Sequence, residues 1–182
     1  MLIGITGKKR AGKDTAAEPL TESGYQLYRF ADPIKRLCAD IFLWDDEWIN
    51  GKFKETVDPR WGISPREAAQ YVGTELFRQR LPELCEPFNL VIGSNIWVER
   101  FKLWYDGQSD CVIPDVRFLN EAQAIREMGG IIIRITREEC KDTDSHASEK
   151  EMDLIWSDID ISNTGTIKEL QDHIRMMYGG DN

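Results

Sequence analysis

The stretch GITGKKRAGKDT, Gly4–Thr15, sets glycines at positions 7 and 12, a lysine at 13, and three further cations, Lys8, Lys9 and Arg10, in one short loop. Glycines so placed let a backbone wrap until successive N–H groups point inward at phosphate oxygens. A lysine directly after the second glycine reaches the outer phosphates as a mobile point charge. The usual pattern, G-x-x-x-x-G-K-[ST], follows that lysine with a hydroxyl that holds magnesium. Here Asp14 takes that place, and the hydroxyl comes one residue late, at Thr15. A carboxylate can still serve Mg2+, directly or through a bound water, because Mg2+ keeps several waters. Thr15 could hydrogen-bond an α-phosphate oxygen. Gly7, Arg10, Ala11, Gly12, Lys13, Asp14 and Thr15 are therefore the expected nucleotide cradle. The bland alternative is a glycine-rich turn feeding a helix N-terminus.

A second carboxylate, Asp115, closes the apolar run DCVIPD, and Arg117 follows two residues on. A carboxylate at a strand end can orient the waters of a metal ion beside transferring phosphates. The competing role for Asp115 is to cap the helix expected at 120–128. Asp14 and Asp115 are the candidate metal ligands. Among the arginines, Arg66 and Arg78 are twelve residues apart on one expected helix, an offset of about 120°. They need not converge if that helix is continuous, and Gly73 is a candidate break.

These residues need elements to hold them. Leu2–Thr6 reads as a buried parallel strand. A helix from about Lys13 to Ser23 follows, stopped by Gly24. Tyr25–Phe30 reads as a second strand, with Pro33 in the first turn of the next helix. Residues 44–63 are polar, aromatic and irregular, and a loop this long is usually functional or mobile. Ser64, Pro65 and Glu67 form a capping box for a long helix. Asp110–Asp115, Ile131–Thr136 and Asp158–Ser162 are three more strands, with helices at 120–128 and 166–178. Strands alternating with helices imply right-handed crossovers and a three-layer α/β domain on a five-stranded, mostly parallel sheet. Ligands bind beyond the carboxyl ends of such strands, where the loop 7–15, Asp115 and Arg137 all fall. No linker marks a second domain.

Composition narrows the partners. The chain has 182 residues, 41% apolar and 30% charged, the balance of a soluble globular protein. Net charge is −9, which argues against a grip on polymeric nucleic acid, while the basic loop suits a small anionic ligand. No apolar run is long enough to span a membrane. The start, MLIGITG, has no signal-peptide pattern, so a cytoplasmic protein is expected, in a host cytoplasm if phage-encoded. Cys38, Cys85, Cys111 and Cys140 form no C-x-x-C pair, so reduced thiols are the simpler reading and zinc is not expected.

Several blocks recur together in one known order: GKKRAGKDT, FADPIKR, VGTELFRQ, NIWVERF, PDVRFLNEAQAIREMGG, IRITR, DSHASE and DIDISNTGTIKEL. Across nearly its whole length the chain resembles the phage-type deoxynucleoside monophosphate kinases. That resemblance implies a P-loop kinase fold like that of adenylate kinase. It implies transfer of the γ-phosphate of ATP to a deoxynucleoside monophosphate, with Mg2+. Gly7–Thr15 would bind ATP, and Lys9 would face the acceptor phosphate. Asp32, Lys35 and Arg36 of FADPIKR, with Arg66, Gln70 and Arg78, would form the acceptor side of an insertion at about 31–105. Asp115 and Arg117 would lie between the two nucleotides. Residues 137–150 would act as a lid, with Arg137 as a charge clamp. His146 and Glu149, in the DSHASE block, join the substrate-binding candidates, although a lone histidine in a polar loop is more often a bystander. The resemblance also implies a homodimer. Lys13, Arg117, Arg137 and Asp115 are the expected catalytic set. Two rivals stand beside this reading. One is another small-molecule kinase, such as one acting on dephospho-coenzyme A, with Asp32 or Asp115 as base. The other is a nucleotide-binding switch that turns over ATP without an acceptor.

Overall fold

In the computed structural model, which describes residues 1–138 and 151–178, the apolar run Leu2–Thr6 forms a fully buried strand, β1. A strand buried on both faces needs partners on both edges and helices above and below. Strand β3 (Cys111–Ile113) pairs with one edge, and β4 (Ile131–Thr136) with the other, both parallel. The outer strands are β2 (Gln26–Leu27) beside β3, and β5 (Ile159–Ser162) beside β4. The sheet therefore has five parallel strands in the order β2-β3-β1-β4-β5.

Its two faces are covered differently. Ile3, Ile5, Val112, Ile133, Ile135 and Ile161 point to one side and pack on Ala16, Ala17 and Leu20 of α1 (Lys13–Glu22) and on Leu170 and Ile174 of α9 (Ile167–Tyr178). The other face meets α8 (Leu119–Glu127) at close range. A methyl on Gly4 would lie 2.7 Å from Ile132 Cδ1 and 2.8 Å from Ile125 Cδ1, so glycine lets that helix approach.

Two strands are shorter than the sequence suggests. The second was expected over Tyr25–Phe30, but only Gln26–Leu27 pair. It is an edge strand with a single neighbour, and Phe30 already has helical dihedrals before α2 (Ala31–Phe42). The third was expected to reach Asp115 but stops at Ile113, because Pro114 has no N–H for the ladder. Asp115 therefore sits in the turn beyond β3.

The chain divides into two compact units, residues 1–29 with 101–182, which carry the sheet, and residues 30–100, which are helix and loop. In the first, Tyr28 packs on Phe101 and Trp104, ring centres 4.9 and 4.8 Å away, at the end of α7 (Ile96–Trp104).

The second unit has its own core of Cys38, Trp44, Ile49, Ala68 and Val72. Residues 44–63, expected to be irregular, are mostly turns, yet they are bonded tightly among themselves. They contain a short helix, α3 (Asp46–Ile49), capped by the Asp45 side chain, and they fold around Asp58. The Asp58 carboxylate is 1% exposed. It accepts from Trp44 Nε1 at 2.7 Å, from the Arg60 backbone N–H at 2.9 Å and from the Arg60 guanidinium at 2.6 Å. The aromatic residues pack here instead of lining a loop, and Phe42 stacks on Trp44 at 4.5 Å. Arg60, first by its side-chain hydrogen bond, holds the Asp58 carboxyl well below the usual carboxylate range.

A depressed folded pKa stabilises the fold above the unfolded value, near 4, and that contribution fades as pH falls toward the folded value. The second unit should therefore lose stability on acidification below about pH 4. Asp58→Asn should melt at a lower temperature at pH 7 and show a flatter acid limb. Thermal melts from pH 7 to 3 check this, and parallel curves for the two proteins would count against the Asp58 hub.

The capping box of Ser64 and Glu67 starts α4 (Pro65–Gln70) as the spacing predicts. Gly73 does not break the helix. The run passes without interruption into a π-helical stretch, Tyr71–Arg80, with i→i+5 bonding, and on into α5 (Leu81–Leu84), after which comes α6 (Glu86–Val91). Gly73 serves close packing instead. A Cβ there would fall 2.7 Å from Ile34 Cδ1, and its carbonyl accepts from Trp97 Nε1 at 2.9 Å. Among the described residues, no helix is long and apolar enough to cross a membrane.

Candidate active site

The strand order places a crevice. The chain leaves β1 for α1 on one face of the sheet and leaves β3 for α8 on the other, so the two connections part to opposite faces between β1 and β3. Side chains beyond the carboxyl ends of these two strands share the opening that such a reversal creates. The loop 7–12 follows β1, and the turn 114–118 follows β3.

Three residues of that loop have positive φ: Gly7 at 142°, Arg10 at 66° and Gly12 at 103°. The alternation curls the backbone into a concave ring of N–H groups. Gly7 and Gly12 were expected to do this. The left-handed Arg10 was not, and a non-glycine residue there stores strain of about 1–3 kcal/mol, a feature of ligand-holding loops. Ala11 is fully buried, and its N–H donates to Lys8 O at 3.1 Å. Gly12 caps α1, whose first turn carries Lys13, Asp14 and Thr15. Lys13 folds back over the loop, its Nζ donating to Gly7 O at 2.5 Å and Lys8 O at 2.8 Å. Lys9 is half-buried in the loop, and Arg10 is exposed.

Asp14 has a partner that the sequence did not suggest. Arg29, just past β2, donates to Asp14 Oδ1 at 2.8 Å. The Asp14 side chain is 74% exposed, so it remains open to a hydrated ion. Among the described residues no group of three or more His, Cys, Asp and Glu side chains gathers as a metal cage. Mg2+ does not require one, since it is commonly bound through one or two carboxylates and substrate phosphates. Asp14 and Asp115 suit that mode. Asp14→Ala is accordingly expected to raise the Mg2+ needed for half-maximal activity by about tenfold. Asp14→Ser, which keeps an oxygen ligand without the charge, should fall between. Mg2+ titrations of the three proteins check this, and matching curves for Ala and Ser would remove Asp14 from the metal.

The turn after β3 is fixed by a residue that the motif reading passed over. Glu121 is 2% exposed, and its Oε2 accepts from the backbone N–H groups of Arg117 at 2.9 Å and Phe118 at 3.1 Å. Glu121 thus satisfies two backbone donors at the start of α8. Arg117 is left half-buried on a pinned backbone beside Asp115. Arg137, exposed at the end of β4, lines a cleft of about 300 Å3 with Gly7, Lys8, Arg134, Thr136 and Asp153. Lys8 and Asp153 form an ion pair there, at 3.8 Å.

A sequence profile of the deoxynucleotide monophosphate kinases matches residues 60–174. A putative deoxynucleotide monophosphate kinase of Acanthamoeba polyphaga mimivirus is 42% identical over 96% of this chain and 94% of its own length. The chain belongs to the deoxynucleotide monophosphate kinase family. The deoxynucleotide monophosphate kinase of Enterobacteria phage T4 is 27% identical over 86% of this chain and 64% of its own. Solved structures with a similar course include dephospho-CoA kinase from Campylobacter jejuni, with a TM-score of 0.47, 16% identity and coverage of 98% of this chain and 95% of that one. Shikimate kinase from Aquifex aeolicus gives a TM-score of 0.42 and 16% identity, over 99% and 97%.

As a member of this kinase family the chain is a nucleotide kinase, and its remaining candidate residues divide between places. Asp32, Lys35 and Arg36 lie on α2 and line a cleft of about 380 Å3 within the second unit, floored by Trp44 and Ile49. Lys35 Nζ donates there to Asn50 Oδ1 at 2.9 Å. Arg66 and Gln70 are half-buried on α4. Arg78, in the π-helical stretch, is 8% exposed and its guanidinium reaches Ser94 O at 3.4 Å. His146, Glu149 and the expected lid beyond Glu138 fall outside the described residues. The signal for Glu121 was present, since a carboxylate three residues into a helix after an extended residue is a capping pattern. Arg29 carried no such signal, because its partner is set by the sheet and not by spacing.

Proposed function

We propose that this kinase transfers the γ-phosphate of ATP to a deoxynucleoside 5′-monophosphate, giving the deoxynucleoside diphosphate and ADP. The observation that carries the reading is the phosphate loop closed by Lys13, facing the same crevice as the turn that holds Asp115 and Arg117. An oxygen of the acceptor phosphate attacks the γ-phosphorus, and the bond from that phosphorus to the β–γ bridging oxygen breaks. The electron pair leaves on ADP. The attacking oxygen is already anionic, so no general base is needed. The chain's task is positioning and charge stabilisation. The loop N–H groups and the α1 N-terminus cradle the donor phosphates. Lys13 follows the charge that builds on the leaving oxygen, and Arg117 and Arg137 take the equatorial oxygens. Mg2+, held by Asp14 and Asp115, would neutralise the donor phosphates when bound. Lys9 is assigned to the acceptor phosphate, and Asp32, Lys35, Arg36, Arg66, Gln70, Arg78, His146 and Glu149 to the acceptor nucleotide. Their support is the family resemblance.

The deciding assay couples ADP formation to ATP, Mg2+ and a panel of nucleoside monophosphates, deoxynucleoside monophosphates and dephospho-coenzyme A. Acceptor-dependent ADP release with a deoxynucleoside monophosphate is expected. Turnover with dephospho-coenzyme A and none of the monophosphates would replace this reading with an alcohol kinase. ATP hydrolysis indifferent to every acceptor would replace it with a nucleotide switch.

A further inference from the structure

Asn163 lies one residue beyond β5, far in sequence from the phosphate loop, yet it touches that loop directly. Its backbone N–H donates to Thr136 O at 2.7 Å, extending the β4–β5 ladder past Ser162. The residue is thereby fixed by the sheet. It is 7% exposed, and its Nδ2 donates to Ala11 O at 2.8 Å. Ala11 lies between Arg10 and Gly12, two of the three loop residues with positive φ. A Cβ on Gly12 would come within 2.7 Å of the Asn163 Nδ2.

We infer that Asn163 is a positioning residue that holds the phosphate loop in its anion-receiving form through the Ala11 carbonyl. The physical link is the peptide plane. In a trans peptide the C=O and the following N–H point in opposite directions. Fixing the Ala11 carbonyl on Asn163 therefore aims the Gly12 N–H away from Asn163. A loop without this tie could rotate the 11–12 peptide through ψ of Ala11 and φ of Gly12, turning that donor out of the ring. Asparagine supplies the N–H donor that a carbonyl needs. A donor lost here also leaves a buried carbonyl unpaired, a state that folded proteins avoid.

The inference rests on the proposal that the loop binds ATP. Its test separates loop shape from nucleoside recognition by using two probes, the ATP analogue AMP-PNP and inorganic tripolyphosphate. Affinities are measured by calorimetry for the unsubstituted protein, Asn163→Leu and Asn163→Ala. Leucine keeps the branched four-atom skeleton, with added bulk, and removes the donor. Alanine is the second variant should leucine fail to fold, and circular dichroism reports folding in each. Both probes should bind about tenfold or more weakly to the folded variants, with parallel losses. A variant that binds both probes normally overturns the inference. A loss for AMP-PNP with tripolyphosphate unchanged also overturns it, because Asn163 would then be reading the nucleoside. If the unsubstituted protein binds neither probe, the ATP reading falls, and this inference with it.

Discussion

Lys13→Ala is expected to lower kcat by about a hundredfold or more, because it removes a preorganised charge from the outer phosphates in the transition state. The structure adds a second consequence. In the free protein the Lys13 ammonium binds Gly7 O and Lys8 O. Lys13 itself is only half-buried and belongs to no core cluster, so the variant should fold, and its melting temperature should change little. ATP affinity should fall less than kcat, since ground-state binding also draws on the loop N–H groups. Steady-state kinetics with saturating acceptor, set beside a thermal melt, distinguish these effects. Near-normal turnover in a folded Lys13→Ala protein would sink the phosphate-loop assignment itself.

Gly7→Ala is expected to be still more damaging, and for a different reason. Gly7 has φ of 142°, outside the range of ordinary side chains. A Cβ added there would collide with the carbonyl oxygen of Ile135 in β4. That oxygen is backbone of a central strand and cannot swing aside as a side-chain tip could. Strain and collision together should cost about 3 kcal/mol or more. The variant should melt at a lower temperature and should lose measurable binding of an ATP analogue. Gly24→Ala is the fitting control. Its φ of 95° is also one that side chains rarely adopt, but no atom lies within 4 Å of the added methyl. If Gly7→Ala were no worse than Gly24→Ala in stability and bound the analogue normally, the contact with β4 would have no role in shaping the loop.

Much of the fold was legible because its signals are local. Leu2–Thr6 and Ile131–Thr136 are long apolar runs with no proline, and each forms the strand expected of it. Ser64, Pro65 and Glu67 announce a helix start through bonds that span three residues. The weaker predictions are those decided by distant partners. YQLYRF has strand-forming composition, but how much of it pairs depends on its place at the sheet edge. The aromatic stretch 44–63 looks like an exposed loop until Asp58 gathers Trp44 and Arg60 around one carboxylate.

The phosphate loop shows the same division. Gly7, Gly12 and Lys13 stand out by spacing alone. Arg29 and Asn163, which hold Asp14 and the Ala11 carbonyl, are brought there by the parallel sheet and no spacing marks them, whereas Glu121, which holds the Arg117 backbone, follows a local capping pattern that the motif reading passed over. Two cysteines are buried among the described residues. Cys38 and Cys111 were expected to be reduced, and both are free thiols in the interior, where burial pushes them up to about 11 and about 12. Such thiols are poor nucleophiles at neutral pH.

The order of the strands also has a bearing on synthesis at the ribosome. β1 has no sequence neighbour for a partner, since its edges are filled by residues 111–113 and 131–134. The final tie on its loop is Asn163. At roughly 5–20 residues per second, the loop waits about 8–30 s between its own emergence and that of the residues that shape it. The segment 30–100 contains its own core and is complete long before then. The expected nucleotide cradle thus leaves the ribosome well before residues 111–163 and should be among the last parts of the sheet unit to take its final shape. Stalled nascent chains of increasing length should acquire AMP-PNP binding only after Asn163 and α9 have cleared the exit tunnel. Binding by a chain stalled before β4 would show that the loop can set its own shape.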